Sequence, residues 1–261
     1  MRPEAKRALL AVMALLLAAF LLRIVPVQDP LAVDLSLRLA APSLQHWTGT
    51  DELGRDLLSR VLLGLSNSLL LSLMAILVAT MLGLVLGLVA AQWRDTLVDR
   101  LIVGAGDVLM SLPFLLVIAG VLAVIGPSLS NAYLVLIAVM WVAPARVART
   151  EAVRMHGLGY VLASRSIGMS EWRINTHILA PVCAESCITF SFSYLPEVIG
   201  LEAGLSFLGL GIQPPTPSLG KLVFDGLNYI GQHWWLAVVP AGALLLCVLT
   251  IQVASAERER K

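Results

Sequence analysis

The fold is decided by residues 65–91, LSNSLLLSLMAILVATMLGLVLGLVAA, a run of 27 amino acids without one charged side chain. A bilayer core about 30 Å thick is crossed by roughly 20 apolar residues in an α-helix, so the run is long enough to span a membrane. Barrel strands alternate apolar and polar residues, whereas this run is apolar on every side. The stretch therefore predicts a transmembrane helix and an all-α membrane fold.

The rest of the chain has the same character. Of its 261 residues, 58% are hydrophobic and 13% are charged, and the mean hydropathy is +0.87, far above that of soluble domains. Predominantly apolar windows predict a polytopic helix bundle of about six spans. The windows lie near Ala8–Val27, Leu65–Ala91, Leu101–Ile125, Ser130–Pro144, Val182–Leu201 and Trp234–Ala256. The net charge of +1 gives no reason to expect a nucleic acid partner.

Lys and Arg are unevenly distributed between the segments that join these spans. With the N-terminus in the cytoplasm, 13 of the 18 basic residues lie on the cytoplasmic side, which predicts an N-in and C-in orientation. The first window has no small-x-small cleavage site, so a retained signal-anchor helix is expected. Residues 1–64 then form this anchor and a periplasmic segment, residues 65–256 the transmembrane domain, and residues 257–261 a cytoplasmic tail.

One long polar passage interrupts the apolar pattern, YVLASRSIGMSEWRINTHILAP at Tyr160–Pro181. We call it the polar segment. Its pattern predicts a short helix from Tyr160 to about Ile167, a break at Gly168, and a second helical turn whose first amides are capped by the Ser170 hydroxyl. With the orientation above it lies in the cytoplasm. It is either an amphipathic loop that covers the bundle or a helix that fits a groove on another protein.

Three motifs carry a resemblance to a known family. The spacing within the polar segment resembles the EAA loop of ABC importer permeases, with Leu-Ala-Ser in place of Glu-Ala-Ala. The matching positions are Leu162, Ala163, Ser164, Gly168, Ile178 and Pro181. Residues 46–60, HWTGTDELGRDLLSR, and residues 202–220, EAGLSFLGLGIQPPTPSLG, are similar to further segments of the dipeptide, oligopeptide and nickel permeases, in the same order. The chain ends AERERK, where the family usually continues with a longer tail.

The resemblance implies a smaller permease subunit with an ABC transporter type-1 transmembrane domain, in the inner (plasma) membrane as a multi-pass protein. It would form half of the path for a peptide, or for nickel or a metal chelate, with a second homologous permease. Two cytoplasmic ATPase subunits would bind ATP and Mg²⁺, and an extracytoplasmic binding protein would deliver the substrate. The chain has no Gly-x-x-x-x-Gly-Lys-Ser/Thr loop, so we expect neither enzyme activity nor a cofactor or metal of its own.

A different class stays open at this point. Intramembrane acids could serve as an ion relay, which would make the chain a stand-alone channel or an ion-coupled secondary transporter. Inverted repeats and a pair of acids at the membrane midplane would favour that class, and the sequence shows neither convincingly.

The resemblance assigns coupling to the ATPase to Tyr160 through Arg173. In this assignment Arg165 and Arg173 offer charge-assisted contacts, and Gly168 permits the bend. The candidate coupling residues are Tyr160, Ala163, Ser164, Arg165, Gly168, Trp172 and Arg173.

Carboxylates inside a membrane are costly and often functional, which singles out candidates for the translocation path. Asp107 precedes Ser111 by four residues, so both lie on one helix face, and a polar group on a neighbouring helix is the expected partner. Glu197 follows Pro196, which interrupts helix hydrogen bonding, and is the best candidate for a residue particular to this transporter. Glu202 lies beside the fifth window and completes the set.

Smaller patterns predict packing. Gly83 and Gly87 form a Gly-x-x-x-Gly pair, typical of closely packed helices. Cys183 and Cys187 lie one helical turn apart without His or carboxylate in ligand spacing, so we expect them to pack rather than to bind metal. Residues 46–60 are either a helix start capped by Thr50 or Asp51, or a periplasmic platform for the partner permease or the binding protein.

Overall fold

The structure is a computed structural model that describes residues 28–259 and ten positions nearer the N-terminus, namely 10, 13–15, 17, 18, 20, 21, 23 and 24. The predicted first span, Ala8–Val27, lies largely outside the described residues, and so do positions 260 and 261 of the predicted tail, residues 257–261. The described part is helical and contains no β-strand, only one isolated bridge between Thr50 and Asp56. The predicted all-α fold is confirmed.

Residues 28–259 form ten α-helices, together with a 3-10 turn at Leu35–Leu37 and a π-helical turn at Asn175–Leu179. The α-helices are α1 Leu57–Gln92, α2 Leu97–Ser111, α3 Phe114–Ile125, α4 Leu129–Met140, α5 Val142–His156, α6 Gly159–Ser166, α7 Glu171–Ile174, α8 Ala180–Phe207, α9 Leu219–Leu227 and α10 Trp235–Glu259.

Four helical stretches in the described part are long and apolar enough to cross a membrane, and they cover the second, fourth, fifth and sixth predicted windows. They are Leu57–Gln92, Leu129–His156, Glu171–Phe207 and Trp235–Ala256. At 1.5 Å per residue, the 36 residues of α1 extend over about 54 Å, more than the roughly 30 Å of a bilayer core. Part of α1 therefore lies outside the hydrocarbon.

The third predicted window is bent. We expected one continuous helix over Leu101–Ile125, and this is wrong, because α2 and α3 meet at an angle of 93°. Pro113 lacks the amide hydrogen that would continue the ladder and disfavours the helical conformation of the residue before it. Leu112 is accordingly extended, with φ −106° and ψ 147°. The bent pair makes a fifth span in the described part only if its two arms cross together.

The chain divides into two compact units, the first built mainly from Met74–Ile118 and Leu134–Tyr194. In this unit α1 packs directly on α5. A Cβ added to Gly83 would lie 2.6 Å from the Trp141 carbonyl oxygen, and one added to Gly87 would lie 2.6 Å from Ala148 Cβ. No side chain larger than hydrogen fits at these positions, so the close approach predicted from the Gly-x-x-x-Gly pair is confirmed.

The cysteines belong to the core of this unit. Cys183 and Cys187 are fully buried. Their Sγ atoms donate to the backbone carbonyl oxygens of Ala148, at 3.7 Å, and Pro144, at 3.5 Å. The prediction that they are packing residues is confirmed.

The second unit is built mainly from Met13–Leu73 and Leu195–Lys261. Here α9 and α10 pack against the first turns of α1, around a buried apolar cluster of Leu57, Val61, Leu219, Leu222 and Leu236. Burial of each such side chain contributes roughly 1.5–3 kcal/mol. This cluster fixes where α1 begins.

The start of α1 confirms the predicted helix N-terminus in residues 46–60 but corrects its cap. Asp56 Oδ2 accepts the amide of Ser59 at 2.8 Å, and Asp56 Oδ1 lies 2.9 Å from His46 Nδ1. Asp51 instead folds the preceding turn, where its Oδ1 accepts the amides of Leu53 and Arg55. A cap at Thr50 or Asp51 was therefore wrong, because that turn places Asp56 next to the first helical amides.

Candidate functional site

The polar segment has the predicted order of helix, break and helix, as α6, a turn and α7. Gly168 has φ +83°, a left-handed conformation that favours glycine. Its amide donates to the Arg165 carbonyl at 2.9 Å and the Met169 amide to the Ser164 carbonyl at 3.0 Å, which closes the end of α6. The prediction that the Ser170 hydroxyl caps α7 is wrong. Ser170 has the extended backbone of an N-cap residue, but its hydroxyl accepts no hydrogen bond from the first amides of the helix.

One face of the polar segment belongs to the core. Val161 on α6 and Ile174 on α7 are fully buried. They pack in one cluster with Met155 of α5 and with Leu179 at the end of the π-helical turn. These apolar contacts hold α6 and α7 against the other helices of the first unit.

The opposite face carries large exposed apolar side chains. Ile167 is 81% exposed and Trp172 is 74% exposed, and Tyr160 and Leu162 are about half exposed. Among the predicted coupling residues, the exposed ones are Tyr160, Ala163, Gly168, Trp172 and Arg173, and the partly buried ones are Ser164 and Arg165. Several large exposed apolar side chains on one polar loop are typical of a protein interaction site.

Arg165 does not belong to this exposed face. Its Nε and one terminal nitrogen donate to the two carboxylate oxygens of Glu171, at 2.6 and 3.1 Å, across the Gly168 turn. The same terminal nitrogen donates to His156 Nδ1 at 2.8 Å. The hydrogen bonds to Glu171 hold the pKa of the Arg165 guanidinium above its ordinary value. Sequence reasoning missed Glu171 and His156, although opposite charges on either side of a predicted turn were a usable signal.

The predicted polar partner of Asp107 is Arg146 on α5. An Arg146 terminal nitrogen donates to Asp107 Oδ1 at 2.5 Å, so a partner on a neighbouring helix is confirmed. Both side chains are about half exposed. Ser111 lies on the same exposed face of α2, as predicted, and its hydroxyl donates to the Val108 carbonyl of its own helix.

A second ion pair joins the same two helices and was not foreseen. Arg149 donates to both carboxylate oxygens of Asp99, each at 2.7 Å, and the Asp99 side chain is almost fully buried. A bidentate ion pair of this kind fixes the relative orientation of the two side chains as well as their distance. It sets α2 against α5 near the start of α2.

The two predicted acids of α8 have different surroundings. The helix was expected to end at Leu201, but it continues through Pro196 to Phe207. Glu197 lies on an exposed face of this helix. Glu202 is only 1% exposed, and its Oε1 accepts the Ser206 hydroxyl at 2.7 Å, one helical turn away. Glu202 is therefore enclosed within the protein, whereas Glu197 is exposed.

A small charged cleft lies in the second unit beside residues 46–60. Asp51 pairs there with Arg55 at 2.7 Å and with Arg60 at 3.1 Å. The Tyr229 hydroxyl donates to Glu52 at 3.0 Å. These contacts tie residues 46–60 to the loop between α9 and α10.

A family model described as the binding-protein-dependent transport system inner membrane component matches residues 83–260. The chain therefore belongs to this family. It is a permease component of an ABC importer in the inner membrane, and ATP hydrolysis is carried out by separate ATPase subunits. ATPase and substrate-binding proteins are thus its partners. The alternative of a stand-alone channel or a secondary transporter is excluded.

Individual relatives are similar over most of the chain. The probable D,D-dipeptide transport system permease protein DdpC of Escherichia coli (strain K12) is 37% identical over 219 residues, which are 84% of this chain and 73% of that protein. The dipeptide transport system permease protein DppC of Bacillus subtilis (strain 168) is 34% identical over 213 residues, 81% of this chain and 66% of that protein.

A solved structure of the methionine ABC transporter MetNI, in inward-facing conformations, has the same fold. Its TM-score is 0.56 at 20% sequence identity, and the match covers 78% of this chain and 95% of that chain. The predicted helical permease fold is confirmed by this similarity.

Proposed function

We propose that this chain forms half of the translocation path of a peptide importer, with a second homologous permease forming the other half. The chain has both termini in the cytoplasm, and the polar segment faces an ATPase subunit there. The relatives named as dipeptide permeases support peptides as the substrate class. Nickel or a metal chelate is the second candidate, because the motifs at residues 46–60 and 202–220 are similar in both kinds of permease.

The observation that carries the coupling role is the two-sided structure of the polar segment. One side is anchored by the buried Val161 and Ile174, and the other presents Ile167 and Trp172 to the surroundings. Exposed aromatic side chains flanked by a cation, here Arg173, are typical centres of protein interfaces. The matching surface on the ATPase would be an apolar groove with an acidic rim.

Exposed charged side chains on apolar helices indicate which residues line the translocation path. A charged side chain that faces lipid costs several kcal/mol, so the exposed Asp107 and Arg146 face water or protein instead. The same reasoning applies to Glu197 on α8. We assign Asp107, Ser111 and Glu197 to the wall of the path, whereas Glu202 supports α8 from within.

Among the described residues no group of three or more His, Cys, Asp or Glu side chains is placed to hold a metal ion. A metal cargo would therefore pass through this subunit as a chelate, with a size and polarity close to those of a short peptide.

The test is co-purification with the ATPase after a single substitution on each of two exposed tryptophans. Trp172→Ala should lower recovery of the ATPase subunit at least about tenfold, since truncating a central aromatic anchor costs 2 kcal/mol or more. Trp47→Ala is the matched control, because Trp47 is 66% exposed but lies outside the polar segment. Equal recovery from both variants would contradict the coupling role.

Substrate class is tested separately, with the assembled importer in proteoliposomes. Radiolabelled dialanine and a nickel chelate are offered with the cognate binding protein, and uptake driven by ATP is measured. Uptake of the nickel chelate alone would overturn the peptide assignment.

A further inference from the structure

Three polar side chains from three helices meet beneath the Gly168 turn. Arg165 comes from α6, Glu171 from α7 and His156 from the end of α5. The Arg165 guanidinium donates to the Glu171 carboxylate through Nε and Nη2, and the same Nη2 also donates to His156 Nδ1. The group thus connects the helix before the polar segment to both helices within it.

The hydrogen bonds define the state of the histidine. A guanidinium has only donors, so His156 Nδ1 must accept and the ring proton must lie on Nε2. Nε2 is buried and has no hydrogen-bond partner among the residues that the structure describes. A buried N–H without a partner is unfavourable, and an apolar residue at position 156 would avoid that cost. The arrangement is therefore best explained by what Nδ1 does, which is to hold Arg165 in place.

The turn itself offers little else to fix the angle between α6 and α7. A Cβ added at Gly168 would have no atom within 4 Å, so Gly168 itself makes no packing contact, and Met169 beside it is only partly buried against the core cluster. Helices of eight and four residues are too short to be stable on their own. Their relative orientation depends on the apolar contacts of Val161 and Ile174 on the inner face and on the ion pair that spans the turn.

We propose that the Arg165–Glu171 ion pair, oriented by His156, is a clip that keeps α6 at a fixed angle to α7 and to the π-helical turn leading into α8. Movement of a docked ATPase is then passed to the membrane helix instead of being lost as bending at Gly168. Arg165, Glu171 and His156 are positioning residues for coupling. The inference rests on the docking role of the polar segment proposed above.

The test measures how many substrate molecules are transported for each ATP hydrolysed, in the complete importer reconstituted with its binding protein and radiolabelled dialanine. Arg165→Gln and Glu171→Gln should leave the ATPase subunit bound and hydrolysing ATP, while the transport ratio falls roughly threefold to tenfold, as expected for loss of an ion pair of this strength. The charge swap Arg165→Glu with Glu171→Arg should bring the ratio back to within about twofold of the wild type.

The matched control is Arg154→Gln. Arg154 forms an ion pair of the same kind with Glu151, at 2.6 Å, but within one helix and without spanning a turn. Its ratio should equal that of the wild type. If Arg165→Gln fails to accumulate, two His156 variants decide instead, since His156→Asn retains an acceptor and should keep the ratio, whereas His156→Leu removes it and should lower the ratio.

Two results would overturn the clip alone: an unchanged ratio in both single variants, or a charge swap that stays as low as they do, with the ATPase still recovered. If the wild-type chain does not bind the ATPase subunit through the polar segment, the proposed docking role is wrong instead, and the clip has no basis. The two failures are thus distinguishable.

Discussion

A substitution at Gly168 tests the backbone conformation of the turn without disturbing any packing contact of its own. Its φ of +83° lies in the left-handed region, and a Cβ there would meet no atom within 4 Å. The cost of any substitution is therefore conformational. It amounts to about 1–2 kcal/mol for alanine and more for β-branched valine, whereas asparagine adopts this conformation more readily.

This cost is smaller than the energy that anchors the polar segment. Full burial of Val161 and Ile174 contributes roughly 1.5–3 kcal/mol for each side chain. A strain of about 2 kcal/mol therefore leaves the segment attached, but it lowers the population of the native turn by up to a factor of about 30. Gly168→Val should then assemble normally with its partners and couple poorly.

The assay is substrate-stimulated ATPase turnover of the purified importer, normalised to the amount of ATPase subunit recovered. Turnover should decrease in the order Gly168, Gly168→Asn, Gly168→Ala, Gly168→Val, with unchanged recovery. Gly104→Val is the control, because Gly104 lies in α2 with open space around its Cβ position and no left-handed backbone. Wild-type turnover in Gly168→Val, or lower turnover in Gly168→Asn than in Gly168→Val, would refute the reasoning.

Three other substitutions probe packing and the path. Gly87→Val should lower the free energy of unfolding by about 1–3 kcal/mol through overpacking against α5, whereas Gly104→Ala should leave the unfolding temperature in detergent unchanged. Asp99→Asn leaves the half-buried Arg149 without its carboxylate and should cost about 2 kcal/mol in the same assay; a loss below about 0.5 kcal/mol would contradict the importance of this pair. Glu197→Gln should change the transport rate severalfold at an unchanged unfolding temperature, and a lower unfolding temperature would assign Glu197 a structural role instead.

Local signals in the sequence predicted what depends on neighbouring residues. Uninterrupted apolar runs gave the long helices, and Gly168 between two helix-forming stretches gave the turn in the polar segment. The spacing of Gly83 and Gly87 predicted a close helix contact, since only the absence of side chains permits it. These features require no knowledge of distant partners.

Features that depend on the folded neighbourhood were missed or misplaced. The 93° bend at Pro113 was not foreseen, because a proline within a span is compatible with a mild kink as well as a sharp turn. Asp56 became the cap of α1 because a tight turn formed by Asp51 brings it there. Arg165 was expected to offer charge-assisted contacts to the ATPase, and only the arrangement of three helices shows Glu171 and His156 within its reach.

The buried thiols of Cys183 and Cys187 leave the partly buried Cys247 as the native cysteine to replace before chemical labelling. Maleimide reagents attack an accessible thiolate, and these two sulfur atoms are fully enclosed and donate to backbone carbonyls. A cysteine introduced at the exposed position of Trp172 would therefore react in preference to either of them. Fluorophores or spin probes can report on the polar segment in working importers without removal of these two native residues.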